Sequence, residues 1–483
     1  MSTLRKSTLV MLLIAAVLMA GCKKETEPEN NGNSDNNNEN TETVGHKNPN
    51  PAQDTPLSET VLSEFKSVYQ LCPNADGSFY ALAMGQNTDY LVKLDNNGYV
   101  QQRVELGFES RRCLIKSGEN IVLVGNLGKT TSPYTMYERG CVVVYDHTMQ
   151  LTATTILKES QYNIQINTII QDTQDHDVFY AGGLAIDESY IQYPYLCTLR
   201  FSEGLMTKVS SKIYTDYPKY RVLGMVEKNL AGQNDLILET LYYWNVDNPE
   251  DSQNTEAHIV KLNYFEEESG WGHEIWDVAV LGQHHDSYAD NNSIISDESN
   301  VYFFGRFQDD KTPAPSSGYW NSGCVAAIDW YEGRMKWFKS IALSNKSDLL
   351  CVGQLSEGCF YICGRHSGLH YNTTKKYFGN GLVVMLSLSG NLLSYKTFGD
   401  PERQACFNHI VKDINGNWVV VGWFGENLGN NNRKYSGWFL KTDMLSGGSS
   451  KAMSIVAKDE LFDDMDAGST SVPMDGEIRC GGM

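Results

Sequence analysis

Seven times along the chain a polar turn gives way to a short run of apolar β-formers, closed in most copies by glycine. The copies are DGSFYALA ending at Ala83, GENIVLVG at Gly125, HDVFYAG at Gly182, NDLILET at Thr240, SNVYFFG at Gly305, GCFYICG at Gly364 and GNWVVVG at Gly422. Their end points lie 42, 57, 58, 65, 59 and 58 residues apart, a spacing that marks one supersecondary unit used repeatedly.

Each copy follows another apolar stretch and precedes a third: YLVKLD from Tyr90, CVVVYD from Cys141, YLCTLR from Tyr195, HIVKLN from His258, CVAAID from Cys324, LVVMLS from Leu382 and WFLKTD from Trp438. A turn rich in Gly, Asn or Ser comes next, as in DNNG ending at Gly98, and a fourth stretch such as VQQRVEL from Val100 completes the unit. Four short strands separated by turn signals predict a four-stranded antiparallel sheet. Such a sheet cannot cover both of its faces alone, so neighbouring copies must stack about an axis. The expected fold is all-β, a seven-bladed β-propeller with four antiparallel strands per blade, spanning 58–453.

The last two units, GLVVMLSLSGNLLSYKTFGD from Gly381 and NHIVKDINGNWVVVGW from Asn408, resemble the bacterial seven-bladed β-propeller repeat family of secreted and surface lipoproteins. The match is clear in units six and seven and weakest in unit four, where Glu239 and Thr240 stand in place of the apolar-glycine ending. The resemblance implies a ring. It implies no reaction, because one scaffold hosts binding modules and enzymes alike.

The N-terminus reads as targeting sequence. Arg5 and Lys6 precede an apolar run from Leu9 to Leu18, about ten residues, where a membrane-spanning helix needs roughly twenty. Ala20 and Gly21 directly before Cys22 resemble the bacterial lipobox, with Met19 in place of its leucine. The resemblance implies a signal peptide over 1–21, cleavage before Cys22, and diacylglyceryl modification of its sulfur. Several acyl chains on one residue anchor stably where a single chain is marginal. The segment 22–57, with GNSDNNNENTETVG, has too few apolar residues to offset the entropy of ordering and is expected to be a flexible stalk. The expected localisation is the outer membrane, lipid-anchored, with the cell surface favoured over the periplasmic face.

Charge removes one class of partner. The formal net charge of -20 repels a phosphate backbone, so nucleic acid is not expected as a ligand. Ten of the 11 cysteines follow Cys22 without the dense spacing of a disulfide scaffold and are expected to be buried thiols. One pair is a candidate bridge. If Ser356-Glu357-Gly358 forms a three-residue hairpin loop, Cys351 and Cys363 fall opposite each other, whereas Cys359 and Cys363 on one strand would lie about 13 Å apart.

Function is sought where the units differ. The inserts between second and third strands open on one rim, and six of them are long and contain tyrosine, including Tyr134, Tyr190, Tyr193, Tyr242, Tyr243, Tyr371 and Tyr435, with Trp244 and Trp320 beside them. Tyrosine gives a rigid face and one hydroxyl at low entropic cost, the composition of a recognition surface for a glycan or a protein. Packing of each loop on its neighbour is the competing role. Arg306 and Arg365 follow the closing glycine in consecutive units, and paired guanidinium groups suit a carboxylate or sulfate.

Catalytic signals are sparse. GNLGKT from Gly125 lacks the first glycine of a phosphate loop, with Leu123 in its place, and neither GxSxG nor HExxH occurs. His284-His285-Asp286 and His366 with His370 each fall short of a zinc ligand set, so no metal or cofactor is expected. Glu239, polar in an apolar strand, is a candidate for a buried acid or for the wall of a solvated channel. The acidic stretch from Asp459 belongs to a tail, 454–483, whose start is expected to supply the outer strand of the last blade near Ser454 to Ala457. The function expected is a surface binding protein presenting a tyrosine-rich rim. The alternatives are an extracellular carbohydrate-active enzyme and a structural component of an envelope assembly.

Overall fold

The computed structural model describes residues 56–128, 139–230, 233–243, 255–263, 274–280, 287–288, 293–308, 321–341, 349–366, 380–399, 404–427 and 433–443. Of two compact units, Met1–Pro49 and Asn50–Met483, these residues all belong to the second. Cys22, the stalk up to residue 55, and the tail from 454 lie outside them.

The described residues contain strands and turns and no helix. After β1 (Ser58–Leu62), one sheet runs β2 (Ser67–Pro73), β3 (Phe79–Met84), β4 (Asp89–Leu94), β5 (Val100–Glu105) in spatial as in chain order. The next eight strands are β6 (Glu109–Ser117), β7 (Asn120–Leu127), β8 (Arg139–Asp146), β9 (Leu151–Ile156), β10 (Asn163–Gln171), β11 (Val178–Ile186), β12 (Gln192–Ser202) and β13 (Leu205–Ile213). They count as one eight-stranded sheet, but β6 to β9 and β10 to β13 are each an antiparallel meander, joined by the single parallel pair Ile164↔Arg139.

A further sheet is β14 (Tyr220–Leu230), β15 (Gln233–Tyr243), β16 (Thr255–Asn263), β17 (Glu274–Val280). In the following sheet β18 (Ser287–Tyr288) and β19 (Ile294–Ser296) both pair with β20 (Asn300–Gln308), like one interrupted strand, ahead of β21 (Asn321–Asp329) and β22 (Met335–Ile341). Then come β23 (Leu349–Ser356), β24 (Cys359–His366), β25 (Asn380–Ser387), β26 (Leu392–Phe398), and finally β27 (Gln404–Lys412), β28 (Trp418–Asn427), β29 (Arg433–Thr442). The all-β class and the four-stranded antiparallel sheets are therefore as expected.

The last sheet takes its fourth strand from the other end of the chain. β1 pairs antiparallel with β29, from Ser58↔Lys441 to Leu62↔Gly437. This corrects the expectation that residues 454–457 fill that position: β1 already occupies the free edge of β29. First strands touch in succession, β2 with β6, β6 with β10, β10 with β14, β14 with β19, β19 with β23, β23 with β27, and β27 again with β2.

Side chains of the first strands bond across these contacts. In several of those strands the pairing slips near one level, a bulge that leaves a residue out of the ladder: Asn167 in β10, Leu223 in β14, Asn408 in β27. Asn167 Nδ2 donates to Val222 O at 2.8 Å, and Asn408 Nδ2 donates to Val68 O at 2.9 Å. Gln70 receives the Leu114 N–H at 2.7 Å and donates to Leu114 O at 3.1 Å. Each bond satisfies a backbone group on a strand at the edge of its sheet, which would otherwise be buried unpaired at a cost of about 1–3 kcal/mol.

The bulge also explains the glycine that closes the refrain. Gly422 lies opposite Phe407, and a Cβ there would come 1.9 Å from the carbonyl oxygen of Cys406. No other residue fits without moving the first strand. In unit four the glycine has changed strands: Gly224 on β14 stands across from Glu239. Alternate side chains form the core, with Tyr361 stacked on Trp418 of the neighbouring sheet at 3.9 Å and Phe407 stacked on Trp438 of its own sheet at 4.7 Å.

Candidate functional site

A concavity lies between the β10–β13 meander and the β14–β17 sheet, where the connection Tyr214 to Lys219 is tied down. Tyr214 N–H donates to Pro194 O at 3.0 Å, Tyr217 N–H to Tyr214 O at 3.1 Å, and Lys219 N–H to Gln192 O at 2.7 Å. Lys219 adopts a left-handed backbone (φ 73°), which turns the chain into β14. These bonds hold three tyrosines, Tyr214, Tyr217 and Tyr220, above the face of β15 and β16 that carries Leu238, Thr240, Val260 and Leu262. With Pro194 and Asp277 they line a narrow, almost wholly apolar pocket.

Tyr220 is the hub of the aromatic wall. Its ring lies 4.7 Å from Tyr242 with planes 34° apart, 5.3 Å from His258 edge-on, and 6.2 Å from Tyr217 edge-on. His258 Nδ1 is 2.8 Å from Asp277 Oδ1, which fixes the imidazole. The Thr240 hydroxyl donates to His258 O at 3.4 Å. Tyr214 is 8% exposed, and its hydroxyl has no hydrogen-bond partner among the described residues. Burial pushes that phenol's pKa upward, so it remains a neutral donor. Lys212 Nζ sits 4.8 Å over the Tyr214 ring, and burial lowers its pKa, opposed by Asp216.

On the opposite face of the β10–β13 meander, Glu159 gathers donors: Lys208 Nζ at 2.6 Å, Ser211 Oγ at 2.6 Å and Tyr195 OH at 3.1 Å. Burial alone would raise its pKa, but these bonds outweigh that and hold the carboxyl below its usual range. Tyr162 and Tyr193 meet edge-on at 6.1 Å close by. Elsewhere, Glu227 on β14 has a pKa pushed up by burial and by Asp172. Asp172 caps a turn, receiving Gln174 N–H at 2.8 Å, Asp175 N–H at 2.9 Å and the Tyr180 hydroxyl at 2.5 Å. Those oxygens face the turn, not a cleft.

The residues singled out from sequence divide into three groups. Tyr134, Trp244, Trp320 and Tyr371 lie outside the described residues, as do His284 to Asp286 and His370. Tyr243, Arg306 and Cys351 are placed by their backbones alone: Tyr243 ends β15 beside Tyr242, and Arg306 faces Gly323 across β20 and β21 as Arg365 faces Gly381 across β24 and β25. Equivalent register positions thus carry both arginines. Arg365 is half-buried, and its Nε has no partner among the described residues. Tyr435, half-buried, meets Trp423 edge-on at 5.4 Å.

One expectation is corrected, and one choice between alternatives is decided in favour of the buried reading of Glu239. The hairpin before Cys359 is a two-residue turn, Glu357 and Gly358 (φ 55° and 74°), with Ser356 facing Cys359. The slip between Leu350 and Gly353 then sets Cys351 and Val352 jointly across from buried Cys363. Glu239 does not line a solvated channel: it is fully buried, and its Oε2 receives the Ser293 N–H at 2.8 Å. Sequence reasoning also missed Tyr214, Tyr217 and Tyr220. The signal was present in YTDYPKY, a connection from fourth strand to next first strand, which opens on the same side as the inserts because strand direction alternates.

No protein-family model matches the chain, and no curated protein matches it. Among solved structures it is similar to a prolyl endopeptidase at 11% identity and a TM-score of 0.41, covering 80% of this chain and 51% of that one. Drosophila Semaphorin 2a follows at 7% identity and 0.44, covering 81% and 76%. Trypanosoma rangeli sialidase stands at 10% and 0.37, covering 79% and 58%. This chain thus spans about half the length of the endopeptidase it matches. At TM-scores below 0.5 these likenesses carry no functional argument.

Proposed function

We propose that the protein is a lipid-anchored envelope binding protein, held through Cys22 and displayed at the cell surface, whose sheets form a seven-bladed β-propeller with a tyrosine-rich rim for a glycan or protein ligand. Support for seven blades is the succession of first-strand contacts from β2 round to β27 and back, together with the division of the eight-stranded sheet into two meanders joined by one pair. The observation that carries the binding role is the pocket walled by Tyr214, Tyr217 and Tyr220, concave and aromatic. Arg306 and Arg365, matched in register, are the proposed contacts for an anionic group of the ligand.

The test is a glycan and envelope-protein binding screen of the full chain against its Tyr220→Ala variant, with thermal melting as the folding control. Loss of a ligand in a folded Tyr220→Ala protein supports the reading; unchanged binding across the panel removes the pocket from it. Arg306→Ala combined with Arg365→Ala tests the anionic contact in the same screen. Metabolic labelling with radioactive palmitate, absent in Cys22→Ala, tests the anchor. Surface proteolysis of whole cells tests the exposed face.

A further inference from the structure

Four residues beyond the bulge, a first strand reaches back to the strands before it. Gln171, fourth after Asn167, donates through Nε2 to Ser117 Oγ at 2.6 Å, and Lys412, fourth after Asn408, donates through Nζ to Ser356 Oγ at 2.8 Å. Glu227 holds the same place after Leu223 and reverses the polarity, since its Oε2 receives the Thr173 N–H at 2.8 Å. Its other oxygen, Oε1, is shut off from solvent and has no partner among the described residues. The charged group that acts on it from the preceding meander is a second acid, Asp172. Asp172 is itself buried, and its oxygens already receive the Gln174 and Asp175 N–H groups and the Tyr180 hydroxyl.

The other charges around the pair are engaged elsewhere. Asp175, in the same turn with His176 beside it, is held by Arg200 at 2.9 Å. Lys228, next along β14, points to the other face and donates to Asp297 O. Asp235, across from Lys228 on β15, is held by Lys261 at 2.9 Å. Ionised, Glu227 would hold a second negative charge beside Asp172 with one oxygen neither hydrated nor bonded, a costly state. Burial first, and Asp172 second, accordingly raise its pKa. Protonated, it keeps the Thr173 bond, sheds the repulsion and matches Gln171 in shape. We propose that Glu227 and Asp172 form a proton-operated latch between the β10–β13 meander and the β14–β17 sheet, closed while Glu227 carries the proton and loosened when the proton leaves. Tyr180, which binds Asp172, shares one buried cluster with Tyr214 and Leu236, so loosening reaches the core beneath the tyrosine connection. The latch does not depend on whether the rim binds a ligand.

An acid whose folded-state pKa is raised gives stability that is complete below the ordinary glutamate range and is lost as pH rises through the raised value. The experiment follows the full chain and its Glu227→Gln variant from about pH 4 to 8. Hydrogen exchange is read in peptides covering 171–177 and 220–228, corrected for the intrinsic pH dependence of exchange, with urea unfolding as the folding control. Wild-type protein is expected to lose about tenfold in protection of these peptides as pH rises, while Glu227→Gln keeps its acid-pH protection throughout. His409 and Asp413 titrate in both proteins, so their share cancels in the difference. In Asp172→Asn the wild-type transition should move to lower pH; an unmoved transition overturns the pairing. Parallel curves for wild type and Glu227→Gln, or a loss of protection spread evenly over all the sheets, overturn the latch. A flat wild-type profile does the same and needs no variant that folds.

Discussion

Asn408 donates its side-chain N–H to the carbonyl of Val68, 340 residues earlier, at 2.9 Å. Asn167 makes the equivalent bond to Val222 at 2.8 Å. In both cases the donor is the residue extruded by a bulge, and the acceptor precedes the slip in the next first strand. Asn408→Ala should therefore cost about 1–3 kcal/mol, the penalty for leaving a buried acceptor unsatisfied. Urea unfolding of the variant beside Asn167→Ala checks this, and a loss below 0.5 kcal/mol in both would mean water replaces the amide.

Adjacent to Asn408, His409 Nδ1 accepts the Leu71 N–H at 3.4 Å, a role open only to the neutral ring. Burial lowers its pKa from 6.5 to about 4. The unfolded chain thus binds a proton that the folded chain refuses between those values, so stability falls as pH drops from about 6.5 to 4 and this group adds nothing further below that. The loss is at most about 3 kcal/mol, less for the part of the ring that still meets solvent. His409→Gln should flatten this limb of a stability against pH curve; an unchanged slope refutes the assignment.

Lys441 pairs with buried Asp413 at 3.1 Å and also donates to Asn96. Burial would raise the Asp413 pKa, but bonds from Asn417, Lys441 and Asn415 outweigh it and hold the carboxyl below its usual range. Its contribution is thus complete above pH 4 and lost as pH falls through the lowered value. Lys441→Ala, which leaves the carboxylate to its Asn415 and Asn417 donors, should destabilise by about 1–3 kcal/mol. Replacing both partners with apolar residues should restore much of this in a double-mutant cycle measured by thermal melting.

Tyr190 holds a left-handed backbone (φ 66°) at the place where Gly98 and Gly416 stand in the corresponding aspartate-capped turns. Its side chain is 63% exposed. Tyr190→Gly should stabilise the fold by about 0.5–1 kcal/mol by relieving that conformation. A decrease in melting temperature would show instead that the phenol has a packing role.

β1 is held by its ladder on β29, by Trp438 Nε1 donating to Glu59 at 2.7 Å, and by Thr60 Oγ1 donating to Asn97 O at 2.7 Å. Thr60→Pro breaks the ladder and should lower stability by about 3 kcal/mol or more, with a rise in aggregation as the β29 edge is uncovered. Light scattering during a thermal ramp reads both effects.

Much of this architecture was legible because its signals are local. Apolar runs such as NIVLVG and CVVVYD, with turns such as Asp95-Asn96-Asn97-Gly98 between strands, mark second and third strands wherever they lie in the fold. The Glu357-Gly358 turn was misread by one residue, and the bulge that follows it carries no compositional mark. β1 as the edge partner of β29 was not legible, since SETVL is a short polar strand and its partner is set by closure alone. The pocket was missed because its tyrosines come from a linker, where attention to the inserts did not reach.

Among the described strands β1 is the first and its partner β29 the last, so the ladder between them cannot form until the chain has been made as far as residue 442. Through that interval the strand keeps its amide edge unpaired, and the sheets behind it are an open stack whose final seam is missing. Locking of the β1–β29 seam is therefore a late event in folding, after the sheets between them have formed.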